Sequence, residues 1–345
     1  MEEKTQNRYG NLDGLKVVAA FGIVAMHVSS NMDHPLSSAM LTNIIASMTH
    51  FVKLFLVLSG FGMCCGYYDK FKVGDYNLDT FYLRRFSKNF PFFAILVLID
   101  VVVNLKNVLW RDVFASLTMA YNLLPTHQMS IVGVGWTLGV IFVFYFLFPF
   151  YVFLLFNKRR GWITLIICLL LNWCCCDYYA SVGATDGVNI LFLSVYFVAG
   201  GMIFLYKELI VEKIGKLPGI AVAVVSVLVP IIWFVEPSDE FSLLFTIKTI
   251  ILLSVWVAAA IAHPVRLLQN RVTKYLSQIS LEIYLSHMMV FRAVEKANIT
   301  SWMFNKNAAY VITLLITLIL TVAFSVVVKK LLSCFANIKN KGKVL

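Results

Sequence analysis

Charge is what this sequence has least of. Only 14% of its 345 residues are Asp, Glu, Lys or Arg, against 60% hydrophobic, and the mean hydropathy is +0.82. So little polar surface cannot clothe a soluble globule, which excludes that class. The alternating pattern of barrel strands is missing too, which excludes a membrane barrel. Among seven cysteines, including Cys64, Cys65 and the run Cys174, Cys175, Cys176, none has the two-residue gap of a zinc or redox pair. They read as packing or lipid-facing residues, and no metal is expected. No repeat, low-complexity stretch or soluble domain stands out, and the longest polar connection covers roughly 67–88. One membrane domain is expected over 1–345.

What is present is a series of apolar runs of about 17 to 25 residues, the length a helix needs to cross roughly 30 Å of hydrocarbon. Lipid offers backbone amides no partner, so such runs must be helices. The fold class is therefore all-α, a polytopic integral membrane protein. Spans are expected near 14–31, 41–66, 89–105, 131–156, 162–176, 188–206, 218–235, 241–262, 275–296 and 306–328, about ten crossings. The segment 112–124 is short and reads as an outer half-helix. The first run has a basic lead-in like a signal peptide and is expected to remain as a signal anchor.

A net charge of +11 would suit nucleic acid, but the charges sort by membrane side. With the N-terminus inside, one side collects Lys4 and Arg8, Lys70 and Lys72, Arg84, Arg85 and Lys88, and Lys158, Arg159 and Arg160. Lys207, Lys213 and Lys216 follow on it, then Arg266, Arg271 and Lys274, then a basic tail over 329–345 with Lys329, Lys330, Lys339, Lys341 and Lys343. The other side holds Lys106, Arg111, Arg292, Lys296, Lys306 and an acidic turn with Glu236, Asp239 and Glu240. This is the positive-inside pattern, so both termini are expected in the cytoplasm and no nucleic-acid partner is expected.

A titratable residue inside a span costs a few kcal/mol and is a functional candidate by default. Lys16 and His27 are eleven positions apart in the first span, just over three turns, so both project from one face about 16 Å apart. Asp13 lies one turn before Lys16. An imidazole at this depth can serve as a general base, or can simply hydrogen-bond a neighbouring helix; both readings stand. His50, Lys53, Asp100, Lys248, Glu282 and His287 are also embedded, and Lys53 or Lys248 could pair with Asp100 or Glu282 in a purely structural way. In the stretch 80–91, read as a cytoplasmic loop, Arg84, Arg85 and Lys88 have helical spacing. Such a cluster can grip coenzyme phosphates, or can merely orient the helix and meet anionic lipid.

Several segments resemble, in order, the acyltransferase-3 family of bacterial membrane O-acyltransferases. They are Asn11-Leu12-Asp13-Gly14-Leu15-Lys16, a ten-residue gap and His27; Leu58-Ser59-Gly60-Phe61; Arg84-Arg85 running into Phe90-Pro91; Trp136-Thr137-Leu138 with Phe144, Tyr145 and Pro149; and Leu276 to Ser280 followed by Ile283-Tyr284-Leu285-Ser286-His287. Two departures stand out. Ile141 and Phe142 occupy places where many members carry acidic residues, and Lys16 replaces the commoner arginine, keeping the charge and losing the bidentate fork. The resemblance implies transfer of an acyl group, usually acetyl, from cytoplasmic acyl-CoA to a sugar hydroxyl of a surface polysaccharide or lipid-linked glycan. It implies a bacterial cytoplasmic-membrane location and no bound cofactor, acyl-CoA being a co-substrate. His27 and Lys16 would be catalytic, Arg84, Arg85 and Lys88 would bind acyl-CoA, and Trp136, Tyr284 and His287 would line the acceptor cavity. The competing reading is a carrier or flippase, against which the sequence shows no similarity between halves and no matched Gly/Pro-broken spans.

Overall fold

The computed structural model describes residues 9–32, 36–119, 131–183, 188–235, 239–300 and 302–341. Lys4, Arg8, Glu236, Lys343 and positions 120–124 of the expected half-helix lie outside the described residues, as do the side chains of Lys339 and Lys341. Among the described residues the protein is 83% helix with no strand. The helices are α1 (Gly10–Asn31), α2 (Ala39–Ser47), α3 (Phe51–Lys72), α4 (Leu78–Val103), α5 (Trp110–Leu117), α6 (Trp136–Leu154) and α7 (Lys158–Ser181). They continue as α8 (Ile190–Ile214), α9 (Gly219–Val235), α10 (Leu243–Ala262), α11 (Arg271–Ser277), α12 (Ser280–Lys296) and α13 (Lys306–Lys341).

Among the described residues, eight helical stretches are long and apolar enough to cross a membrane: Gly10–Asn31, Ala39–Lys72, Leu78–Val103, Gly133–Leu154, Lys158–Ser181, Ile190–Ile214, Leu243–Ala262 and Lys306–Phe335. The protein is thus a multi-pass membrane protein. The two other expected spans coincide with α9 and α12, each of 17 residues, about 26 Å of helix and short of the hydrocarbon thickness.

Three boundaries differ from the sequence reading. The stretch 80–91 is helical: α4 begins at Leu78 with Asp79 in its first turn, where a carboxylate favours the positive end of the helix dipole. Arg84, Arg85 and Lys88 therefore stand on a helix and not in a loop. The apolar pattern over 275–296 is broken between α11 and α12, where Ile279 leaves helical geometry (φ −119°, ψ 11°) and the Ser280 hydroxyl bonds the Ser277 carbonyl at 3.0 Å. The last helix does not stop at 328 but continues to Lys341.

The chain forms two compact units. The first comprises Met1–Lys16, Lys53–Asp79 and Val140–Lys274, and α7, α8, α9 and α10 pack on one another within it. Two glycines allow α3 and α8 to cross at close range. A methyl group on Gly60 of α3 would strike the carbonyl of Phe197, and one on Gly200 of α8 would strike the carbonyl of Val57. Backbone therefore meets backbone, the close approach that small residues permit between membrane helices. Tyr151 beside it donates to the Phe197 carbonyl at 2.8 Å, and the Phe144 and Phe197 rings stack 4.1 Å apart.

The segment Asn11 to Lys16 has a structural task in this unit. Buried Asn11 donates to the carbonyls of Ala260 (2.9 Å) and His263 (2.7 Å) and accepts from the Val265 amide (3.1 Å). That one side chain closes the C-terminus of α10, whose last carbonyls have no helical partner. A methyl on Gly14 would overlap Leu268, so this end of α1 also needs a glycine. Lys53 is buried in the same unit, bonded to Glu240 at 2.9 Å and 4.5 Å from the Phe245 ring centre. Its partner is Glu240 and neither Asp100 nor Glu282.

Replacing Asn11 by alanine would strand buried carbonyls and an amide. We expect Asn11→Ala to lose about 2 kcal/mol or more, read as a lower thermal unfolding midpoint in detergent; an unchanged midpoint would refute the clamp.

Candidate active site

The second unit comprises Val17–Val52, Thr80–Gly139 and Tyr275–Leu345, and it holds most of the sequence-nominated residues. Its centre is α12, packed along α13. Three polar ties fix α12. Lys329 of α13 reaches Glu282 at 2.6 Å and the Gln278 carbonyl at 2.7 Å. The Ser286 and Ser325 hydroxyls lie 3.3 Å apart. The Tyr284 hydroxyl meets the Thr137 hydroxyl at 2.7 Å and the Val134 carbonyl at 3.0 Å, tying α12 to the start of α6. Each tie satisfies a buried polar group that would otherwise cost about 1–3 kcal/mol.

With α12 held in this way, His287 is fully buried and Tyr284 nearly so. The Nδ1 of His287 lies 2.5 Å from the Tyr284 carbonyl oxygen. The half-buried ring of His27, on α1, stands 5.0 Å from the His287 ring, centre to centre, with 39° between the planes. His27 therefore faces the protein interior, and its neighbour is a second imidazole.

Trp136 opens α6, half-buried, next to the Thr137 that Tyr284 holds. Arg84 and Lys88 are exposed one turn apart on α4, and Arg85, half-buried, sits 5.9 Å from the Phe81 ring centre. Lys16 is partly exposed, 3.8 Å from the Asp13 carboxylate, and belongs to the first unit. His27, Tyr284 and His287 are thus brought together, while the three basic residues form a separate cluster on α4.

Two features escaped the sequence reading. Along α13, Thr313, Thr317, Thr321 and Ser325 are 0 to 5% exposed and recur every fourth position, continued by Lys329. This polar stripe was visible as an i, i+4 pattern; Ser325 and Lys329 of it meet Ser286 and Glu282 of α12, and the Thr313 hydroxyl lies 3.1 Å from that of Thr300. Asp100, in contrast, could not be assigned from sequence. It accepts from the Val132 amide at 2.7 Å and from Asn104 at 2.6 Å. Val132 has φ +43°, a left-handed conformation unfavourable for a β-branched residue, so the carboxylate holds strained backbone just before α6. A cavity of about 190 Å³ also lies in this unit, beyond His287 along α12. Phe291, Val294 and Glu295 of α12 border it, with Met32 and Thr313. Among the described residues no three His, Cys, Asp or Glu side chains converge as a metal site requires.

A multi-pass helical membrane protein with paired interior histidines and a basic helical turn is the class that fold and site define. A family model described as an acyltransferase domain, that of the acyltransferase-3 family, matches residues 9–329, nearly the whole chain. The chain belongs to the acyltransferase-3 family and is a membrane acyltransferase. No curated protein and no solved structure matches it.

The ion pair that seats α12 can be tested directly. Lys329→Met would leave Glu282 buried without its cation; with Lys329 itself 41% exposed, we expect a loss of about 1–3 kcal/mol, below that of a fully buried pair. Thermal unfolding in detergent measures it, and a variant as stable as the parent would show the pair to be incidental.

Proposed function

We propose that this acyltransferase moves an acyl group, most simply acetyl, from cytoplasmic acyl-CoA to a sugar hydroxyl of a surface polysaccharide or lipid-linked glycan. The observation that carries the reading is the His27 ring, turned inward against His287 on a helix long enough to span the bilayer. The location would be the bacterial cytoplasmic membrane. α9 and α12 would complete ten crossings, and both termini would be cytoplasmic, as the one-sided distribution of Lys and Arg supports.

The chemistry follows from residue type. His27 takes the proton of the acceptor hydroxyl as its oxygen attacks the thioester carbonyl, or briefly carries the acyl group itself. Lys16, on the same helix about three turns away, steadies negative charge on the thioester side. Arg84, Arg85 and Lys88 hold the coenzyme's phosphates, for which forked guanidinium groups and a lysine on one helical face are suited. Trp136, Tyr284 and His287 form the acceptor side of the site, where the half-buried Trp136 offers an aromatic face for a sugar ring without adding charge.

The test is transfer of label from radioactive acetyl-CoA to the envelope fraction of membranes containing the protein. His27→Ala should reduce transfer at least 100-fold, the general-base contribution being about 10²–10⁴, with the unfolding midpoint unchanged. Transfer retained by that variant would sink the catalytic assignment. Arg84→Ala and Lys88→Ala should instead raise the KM for acetyl-CoA several-fold at similar kcat, an effect that weakens as salt screens exposed charge. Equal KM values would leave these residues with topology alone.

A further inference from the structure

Buried His287 presents a hydrogen-bonding anomaly. Its Nδ1 lies against the Tyr284 carbonyl, and a carbonyl oxygen only accepts, so Nδ1 carries the hydrogen. In the neutral ring Nε2 is then a bare lone pair. That atom is buried, and no described residue hydrogen-bonds it. Natural interiors rarely leave such an acceptor unsatisfied, since the loss is about 1–3 kcal/mol, and an exception asks for a functional reason. The ring alongside is His27.

We propose that His287 is the positioning residue of His27. The His287 Nε2 accepts the N–H of the His27 ring, so that the opposite nitrogen of His27 is the bare base presented to the acceptor hydroxyl. A separation of 5.0 Å between ring centres puts facing ring edges within reach of an N–H···N bond after a small rotation of His27. Hydrogen bonds of this kind are commonly long before substrate binds and tighten in the reacting complex. The result is a chain of fixed polarity: Tyr284 carbonyl, His287 Nδ1–H, His287 Nε2, His27 N–H, and the free nitrogen of His27. A base oriented by a third group is the recurrent logic of activated nucleophiles, and here a neutral imidazole replaces the usual carboxylate. It brings no negative charge into a layer where an ion is costly.

The inference rests on the proposed acyl transfer and specifies it. The acceptor O–H proton passes to the free nitrogen of His27 as the oxygen–acyl carbon bond forms. The carbon–sulfur bond then breaks, and the leaving coenzyme sulfur takes that proton back as a thiol. The N–H directed at His287 does not transfer. It fixes which nitrogen of His27 is basic, and it stabilises the imidazolium while it exists.

Two measurements test this. In the label-transfer assay with acetyl-CoA, His287→Phe should lower kcat on the order of 100-fold with the KM for acetyl-CoA unchanged. His287→Gln, whose side-chain carbonyl can accept the same N–H, should recover activity to within about tenfold of the parent. A raised KM at unchanged kcat, or Gln no better than Phe, would overturn the positioning role. The second measurement needs no activity: ¹⁵N spectra of histidine-labelled protein in lipid nanodiscs should show His287 as the Nδ1–H form, with an Nε2 signal that moves on His27→Phe. An Nε2–H form, or an Nε2 signal indifferent to position 27, would refute the pair even if the His287→Phe variant fails to fold. Should the parent transfer no acetyl while the spectra behave as stated, the acyl-transfer reading fails and the imidazole pair stands.

Discussion

A polar group placed at the depth of hydrocarbon has no water to fall back on, and that constraint organises this protein. Every embedded side chain that sequence reading singled out as misplaced must find a partner inside the fold or cost several kcal/mol. The partners found are specific. Lys53 takes Glu240, Glu282 takes Lys329, and Asp100 takes a backbone amide in strained geometry; Asn11, which was not among those side chains, takes three backbone groups at the end of α10. Among the buried polar atoms of the described residues left without a hydrogen bond, the Nε2 of His287 is the one that belongs to an imidazole and lies beside a second imidazole. Charged groups at depth are thus paired for structure, whereas the two imidazoles face each other.

The same separation divides the family motifs. In the opening segment Asn11 and Gly14 hold the chain end against the region after α10, whereas the side chain of His27 further along α1 meets another ring. Gly60 in the second segment serves backbone packing. In the Trp136 segment, Thr137 reaches Tyr284 while Leu138 is fully buried. Most motif residues thus build the frame, and few are left for chemistry. This is what a reaction needing an oriented base and a bound thioester would require.

Much of the fold was legible because its strongest signal, long apolar runs, follows from bilayer thickness alone. Helix occurs at each of the ten positions where the runs predict it, and Arg84 and Lys88 do share a helical face. Boundaries were less legible. The polar stretch before Pro91 reads as a loop, yet α4 carries Pro91 inside, because the basic turn preceding it forms a helix with an acidic first turn. The site was legible only as nominations. His27 and His287 are 260 positions apart, and nothing in residue type or spacing says that their rings meet. The partner of Lys53 was missed for a similar reason, since Glu240 lies in a polar turn that hydropathy treats as merely external. The i, i+4 hydroxyl stripe on α13 is present in the sequence, but a high overall hydropathy masks its small polar residues.

The crossing of α3 and α8 has a consequence for how such a protein can diversify. Because peptide groups touch there directly, the interval between the two helices is set by no side chain at all. Aromatic residues around it, Phe144 and Phe204 among them, pack beside that interval and do not set it. No distant change compensates for a methyl group at Gly60 or Gly200. Variation in this unit is therefore channelled to its lining, and its skeleton is left no room to drift.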